Sequence, residues 1–141
     1  MKRVFSAVMC CAFLAGTAAA TDFETLQGTW KLVSGIRDGK PAPGAEQKLT
    51  IEGNHFSFTE NAAVGTAGSG TFELNETAKP KTVDVKHTDG PNEGKTSLGI
   101  YEIRAGNRHR LCLAPPGAAR PSKFESKPGS GYIFQEWEKT K

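Results

Sequence analysis

The chain has 141 residues, with 37% hydrophobic residues, 16 Gly, 8 Pro, and 18 Lys and Arg against 15 Asp and Glu. That length carries one domain and is too short for a TIM barrel or a two-lobed nucleotide-binding enzyme. A charged fraction of 23% is near the average for folded chains and argues against wholesale disorder.

Met1-Lys2-Arg3 is a basic start, Val4 to Gly16 is apolar and uncharged, and Thr17-Ala18-Ala19-Ala20 supplies the small residues of a cleavage site. Residues 1–20 therefore read as a secretory signal peptide cut after Ala20. The apolar run is shorter than the roughly 20 residues needed to span a bilayer. Cleavage removes Lys2 and Arg3 and leaves 16 basic against 15 acidic residues, a net charge of +1. Such a balance gives no electrostatic footprint for nucleic acid or anionic membrane. Cys112 is then the one cysteine left, so no internal disulfide can form. The expected product, residues 21–141, is exported to the periplasm or beyond, with no membrane span.

Asp22 to Gln27 reads as one helical turn capped by Asp22 and stopped by Gly28. Thr29–Ile36 follows as a strand, with Trp30, Leu32 and Ser34 on one face by alternation. Asp38-Gly39-Lys40-Pro41 is a turn. Lys48–Glu52 and His55–Glu60 form a hairpin about Gly53-Asn54, with Leu49, Ile51, Phe56 and Phe58 on like faces. Ala62–Gly70 is small and mobile in composition, and Thr71–Leu74 resumes as a strand carrying Phe72 and Leu74. Thr82–Thr88 puts Val83, Val85 and His87 on one side and Asp84 and Lys86 on the other. Thr96–Arg104, Arg108–Ala114 and Tyr132–Glu138 complete the set, the last reached by a long Pro, Gly and Ser-rich loop, Pro115–Gly131.

The pattern is all-β, about eight strands joined mostly by short turns. It favours an eight-stranded antiparallel up-and-down barrel over a two-sheet sandwich, because closure removes exposed edges. Such a barrel holds side chains or one small ligand. The inward aromatics suit either a dry core or a pocket wall. In the last three strands Ile100 and Glu102 oppose Tyr101 and Ile103, and Leu111 and Leu113 oppose Arg110 and Cys112. Apolar residues thus occur on both faces. Either the loop or a partner covers the outer one, or the interior is partly polar.

Leu26-Gln27-Gly28-Thr29-Trp30 resembles the Gly-x-Trp opening of lipocalin-like barrels. The chain also resembles an uncharacterised secreted domain family found mainly in planctomycetes. That likeness runs through Asp38-Gly39-Lys40-Pro41, Leu49-Thr50-Ile51-Glu52-Gly53, Thr77-Ala78-Lys79-Pro80-Lys81 and Asp89-Gly90-Pro91. It continues through Gly99-Ile100-Tyr101-Glu102, Arg110-Leu111-Cys112-Leu113-Ala114-Pro115-Pro116-Gly117 and Arg120-Pro121. The resemblance implies a secreted lipocalin-like barrel and no particular activity. It also implies a cation packed beneath Trp30, with Arg110 as the candidate.

The leading expectation is a non-enzymatic barrel binding a small apolar or amphipathic ligand, with no cofactor. The candidate residues are Trp30, Phe56, Phe58, Phe72, Val85, His87, Tyr101 and Arg110. The segments 62–70 and 115–131 would gate its mouth. One rival is a filled barrel that docks a cell-envelope protein. Another is an enzyme using Cys112 or His87. Cys112 reads more simply as a small buried residue, since His109 falls on the opposite face of its strand. His55 and His109 read as solvent-facing. No metal-ligand spacing joins the three His, and Gly65–Gly70 lacks the Lys and helix of a phosphate loop.

Overall fold

A computed structural model describes residues 21–41, 47–59, 68–105 and 107–140. The candidate signal segment, most of the 62–70 segment and Glu60 lie outside them. Nine strands follow one short helix, α1 (Asp22–Thr25). They are β1 (Gly28–Arg37), β2 (Lys40–Pro41), β3 (Lys48–Glu52), β4 (His55–Thr59), β5 (Gly68–Asn75), β6 (Thr82–His87), β7 (Thr96–Arg104), β8 (Arg108–Leu113) and β9 (Ile133–Lys139). From β3 to β9 each strand pairs antiparallel with the next, β1 pairs with β3, and β1 also pairs with β9. That last pairing closes an eight-stranded up-and-down barrel. β2 is an extra strand on the far half of β1.

Local chemistry fixes the turns. Asp38 and Gly39 both adopt positive φ, 52° and 75°, the pair that a type I′ hairpin requires. Lys40 and Pro41 therefore pair with Arg37 and Ile36 as a strand, where the sequence suggested only a turn. Gly70 answers a different demand. A Cβ there would meet the Lys86 carbonyl at 2.0 Å and the Phe56 ring at 2.9 Å, so the absent side chain makes room for Phe56 opposite. The helical turn is capped by Thr21, whose hydroxyl accepts from the Glu24 amide at 3.2 Å. Asp22, the expected cap, sits inside the helix and takes another role described below.

β3 to β6 alternate cleanly. Leu49, Ile51, Phe72, Val83 and Val85 are buried within, while Lys48, Glu52, Thr59, Glu73 and Lys86 face out. A membrane-spanning barrel carries an apolar band there instead. No helix among the described residues is long and apolar enough to cross a membrane.

β7 to β9 differ. Their inward set is Tyr101, Ile103, Leu111, Leu113 and Trp137, packed into the core. Their outward set includes Ile100, Cys112 and Phe134, paired side by side across the three strands. Residues 114–132 cover that row. Cys112 donates its thiol to the Glu125 carbonyl (3.4 Å), and Phe124 packs on Phe134 with 6.2 Å between ring centres. Arg120 donates to the carbonyls of Gly99 (2.8 Å) and Val83 (3.2 Å) and to the Asp84 carboxylate (2.6 Å). The loop is thus a strap on the outer wall. None of its residues lines the interior, which corrects its expected role as a gate.

One irregularity changes the phase of β1. Leu32 pairs with Trp137 and Ser34 pairs with Glu136, so β1 spends one extra residue, Val33, as a bulge. Strict alternation would keep Ser34 on the face of Trp30 and Leu32. The bulge instead turns Ser34 outward and leaves Val33 41% exposed. Beyond it Gly35 and Arg37, which pair with Gln135 and Ile133, fall on the inner face.

Candidate ligand cavity

The barrel encloses a cavity of about 280 Å³. Its wall is mostly aromatic and aliphatic, from Leu49, Phe56, Phe58 and Phe72 on one side to Val83, Val85 and Leu111 on the other. It sits just below the roughly 300–1,000 Å³ usual for drug-sized ligands.

The helical turn closes one end. Gln27 grips the β3–β4 turn with both ends of its amide, donating to the Gly53 carbonyl at 3.0 Å and accepting from its amide at 2.6 Å. Asp22 accepts from Lys81 Nζ at 2.6 Å and from the Tyr101 hydroxyl at 2.9 Å. Burial alone would raise the Asp22 pKa, but these bonds outweigh it and hold the carboxyl below its ordinary range. Burial and the neighbouring Asp22 charge push the Tyr101 hydroxyl up, so it stays a neutral donor.

Trp30, 1% exposed, lies beneath the floor and does not line the cavity. Its indole donates to the Leu26 carbonyl at 2.9 Å. The cation over its ring is Lys139, with Nζ 5.4 Å from the centroid. Arg110 is not there. Trp30 pairs directly with Lys139 in the β1–β9 ladder, whereas alternation along β8 turns Arg110 outward. Arg110 instead bonds Glu102 at 2.7 Å and stacks on Phe124, 4.4 Å from its centroid.

His109 is also displaced from its expected place. It is 4% exposed and meets Trp30 edge to face, 4.3 Å between centroids. Its ladder partners Ile103 and Trp137 face inward, and it must follow them. Burial drives its pKa down to about 4, so the ring is neutral at pH 7. His109 Nδ1 and Trp137 Nε1 are buried and find no hydrogen-bond partner among the described residues.

The opposite end is polar and reaches solvent. Arg37, Asp89 and Pro91 line the cavity and are exposed. His87 stands inward near this end, as its phase with Val83 and Val85 suggested, 3.0 Å from the Ser97 hydroxyl. Burial lowers its pKa as well. Asp89 is committed to Ser69, accepting from its amide at 2.6 Å and its hydroxyl at 2.7 Å.

Of the eight candidate residues, Phe56, Phe58, Phe72, Val85, His87 and Tyr101 line the cavity, while Trp30 and Arg110 do not. Alternation missed Arg37, because the bulge at Val33 has no signature in a pattern of apolar residues. Cys112 is fully buried beneath the strap, and burial raises its thiol pKa, so it rests protonated. His55 is exposed as expected. No group of three or more metal-ligating side chains converges among the described residues. No protein-family model matches the chain, and neither does any curated protein.

Proposed function

We propose that this chain is an exported, non-enzymatic binding protein whose barrel takes one small apolar or amphipathic ligand, as lipocalin-like barrels do. The observation that carries this is the cavity of about 280 Å³, lined by aromatic and aliphatic side chains and continuous with exposed residues at one end. A filled barrel would have spent that space on side chains. A volume just below that of drug-sized sites suits a short chain or a single ring system. The strap also removes the main support for the rival docking module. The apolar outer row at Ile100, Cys112 and Phe134 is already covered by the chain's own residues.

Native mass spectrometry on the protein purified from its producing cells tests the proposal. The expected result is a bound mass of small-molecule size that is lost on denaturation. A bare polypeptide mass, joined to no uptake when short-chain amphiphiles are added, would overturn it.

A further inference from the structure

We infer that the ligand carries a single negative charge: a small amphipathic carboxylate whose apolar body fills the barrel and whose head is held at the rim by Arg37. This rests on the binding reading above and names the substrate class of the same cavity.

The bulge at Val33 is the starting point. It costs β1 its alternation and exposes Val33, and what it accomplishes is to bring Arg37 onto the inner face beside Ile133. Bulges of this kind often re-aim a side chain next to a site. Arg37 lines the cavity, yet its guanidinium makes no ion pair or hydrogen bond with any described residue. The other arginines from 104 to 120 are all paired with carboxylates.

Below Arg37 on the same wall is Gln135, opposite Gly35. It too lines the cavity, and its side-chain amide bonds no described residue. The two are diagonal neighbours across the ladder, roughly 7–8 Å apart at the backbone, within reach of one head group for long side chains. Gly35, between them on the inner face, brings no side chain of its own. A guanidinium fork matches a carboxylate with two parallel hydrogen bonds, and the Gln135 amide can donate to the same group. On the facing wall Phe56, Phe58 and Val85 are apolar, and the polar groups there are His87 and, at the rim, Asp89 and Asn92, none of them a cation.

Asp89 on the same rim sets the charge. Its repulsion, tempered by the bonds from Ser69, is greater for a doubly ionised phosphate than for a carboxylate. His87, held neutral by burial, adds no positive charge of its own.

The test is calorimetric titration of the wild-type protein and Arg37→Gln with octanoate, octanol and octyltrimethylammonium. Octanoate should bind wild type about ten-fold or more tightly than octanol, and the ammonium compound should bind weakest. Arg37→Gln should erase the preference, with a thermal midpoint and circular dichroism spectrum like those of wild type showing that the variant is folded. Equal binding of octanoate and octanol to wild type, or a preference that survives in Arg37→Gln, overturns the inference while the binding reading stands. If none of the three binds, both fall.

Discussion

The two halves of the barrel wall solve the same problem differently. β3 to β6 follow period-two alternation, apolar within and polar without, and leave their outer surface to water. β7 to β9 are apolar on both faces, and the strap at 114–132 dries their outer one through Arg120, Phe124 and Glu125. A strand with apolar residues on both sides is therefore no sign of a partner protein in this fold. It is a wall between two cores, one around the cavity and one beneath the strap.

The largest expected contrast comes from placing the same charge on each half. Cys112→Lys would bury an unpaired ammonium under the strap and should cost about 3–5 kcal/mol. Thr50→Lys, on the outer face of β3, should stay within about 0.5 kcal/mol. Urea midpoints measure both, and a similar loss in the two variants would abolish the distinction.

The floor gives the next effect. Neutral His109 has a folded pKa near 4, against about 6.5 when unfolded, so the unfolded chain binds more protons between those values. Stability is full above pH 6.5 and falls by about 3 kcal/mol as pH drops to 4. His109→Leu should remove that component, seen as a flatter pH profile in denaturant titrations. A profile unchanged by the substitution would mean that the imidazole is not buried on the floor.

Arg120→Ala sharpens the comparison further. It leaves the Gly99 and Val83 carbonyls without their side-chain donor and should cost about 1–3 kcal/mol. Hydrogen exchange should quicken along the strap, with β3 and β4 unaffected. Uniform quickening over the whole barrel would show that the strap is not a separate layer.

The smallest effect lies at the closed end. Asp22 has a depressed pKa, so its stabilising bonds to Lys81 and Tyr101 are present above about pH 4 and are lost as pH falls through the folded value. With Lys81 partly exposed, Asp22→Asn should cost about 1 kcal/mol at pH 7 and less at an acid pH such as 2.5. Thermal melts at the two pH values check this, and an equal loss at both would contradict the ionic role.

Most of the architecture was legible in the sequence because apolar alternation and turn residues are local. Eight strands and their antiparallel order follow from Phe56 and Phe58, Val83 and Val85, Asp38-Gly39 and Gly53-Asn54. The inner phase of β8 was not legible, since His109, Leu111 and Leu113 compete with a plausible apolar face at Cys112. Ladder pairing with β9 decides that, and pairing is a long-range property. The cation over Trp30 was misplaced for the same reason. Lys139 reaches it only through closure of β1 on β9. Arg37 was invisible because one extra residue in one strand reverses every side chain beyond it.

The most direct test is methyl NMR of the protein titrated with octanol, whose neutral head makes no demand on Arg37. Val83, Val85, Leu111 and Leu113 line the cavity, whereas Val33 is exposed and Ile100 lies under the strap on the outer wall. A ligand inside the barrel shifts the first four and leaves Val33 and Ile100 where they were. Shifts confined to Val33 and Ile100, or no saturable shift at all, would contradict a binding cavity in this barrel.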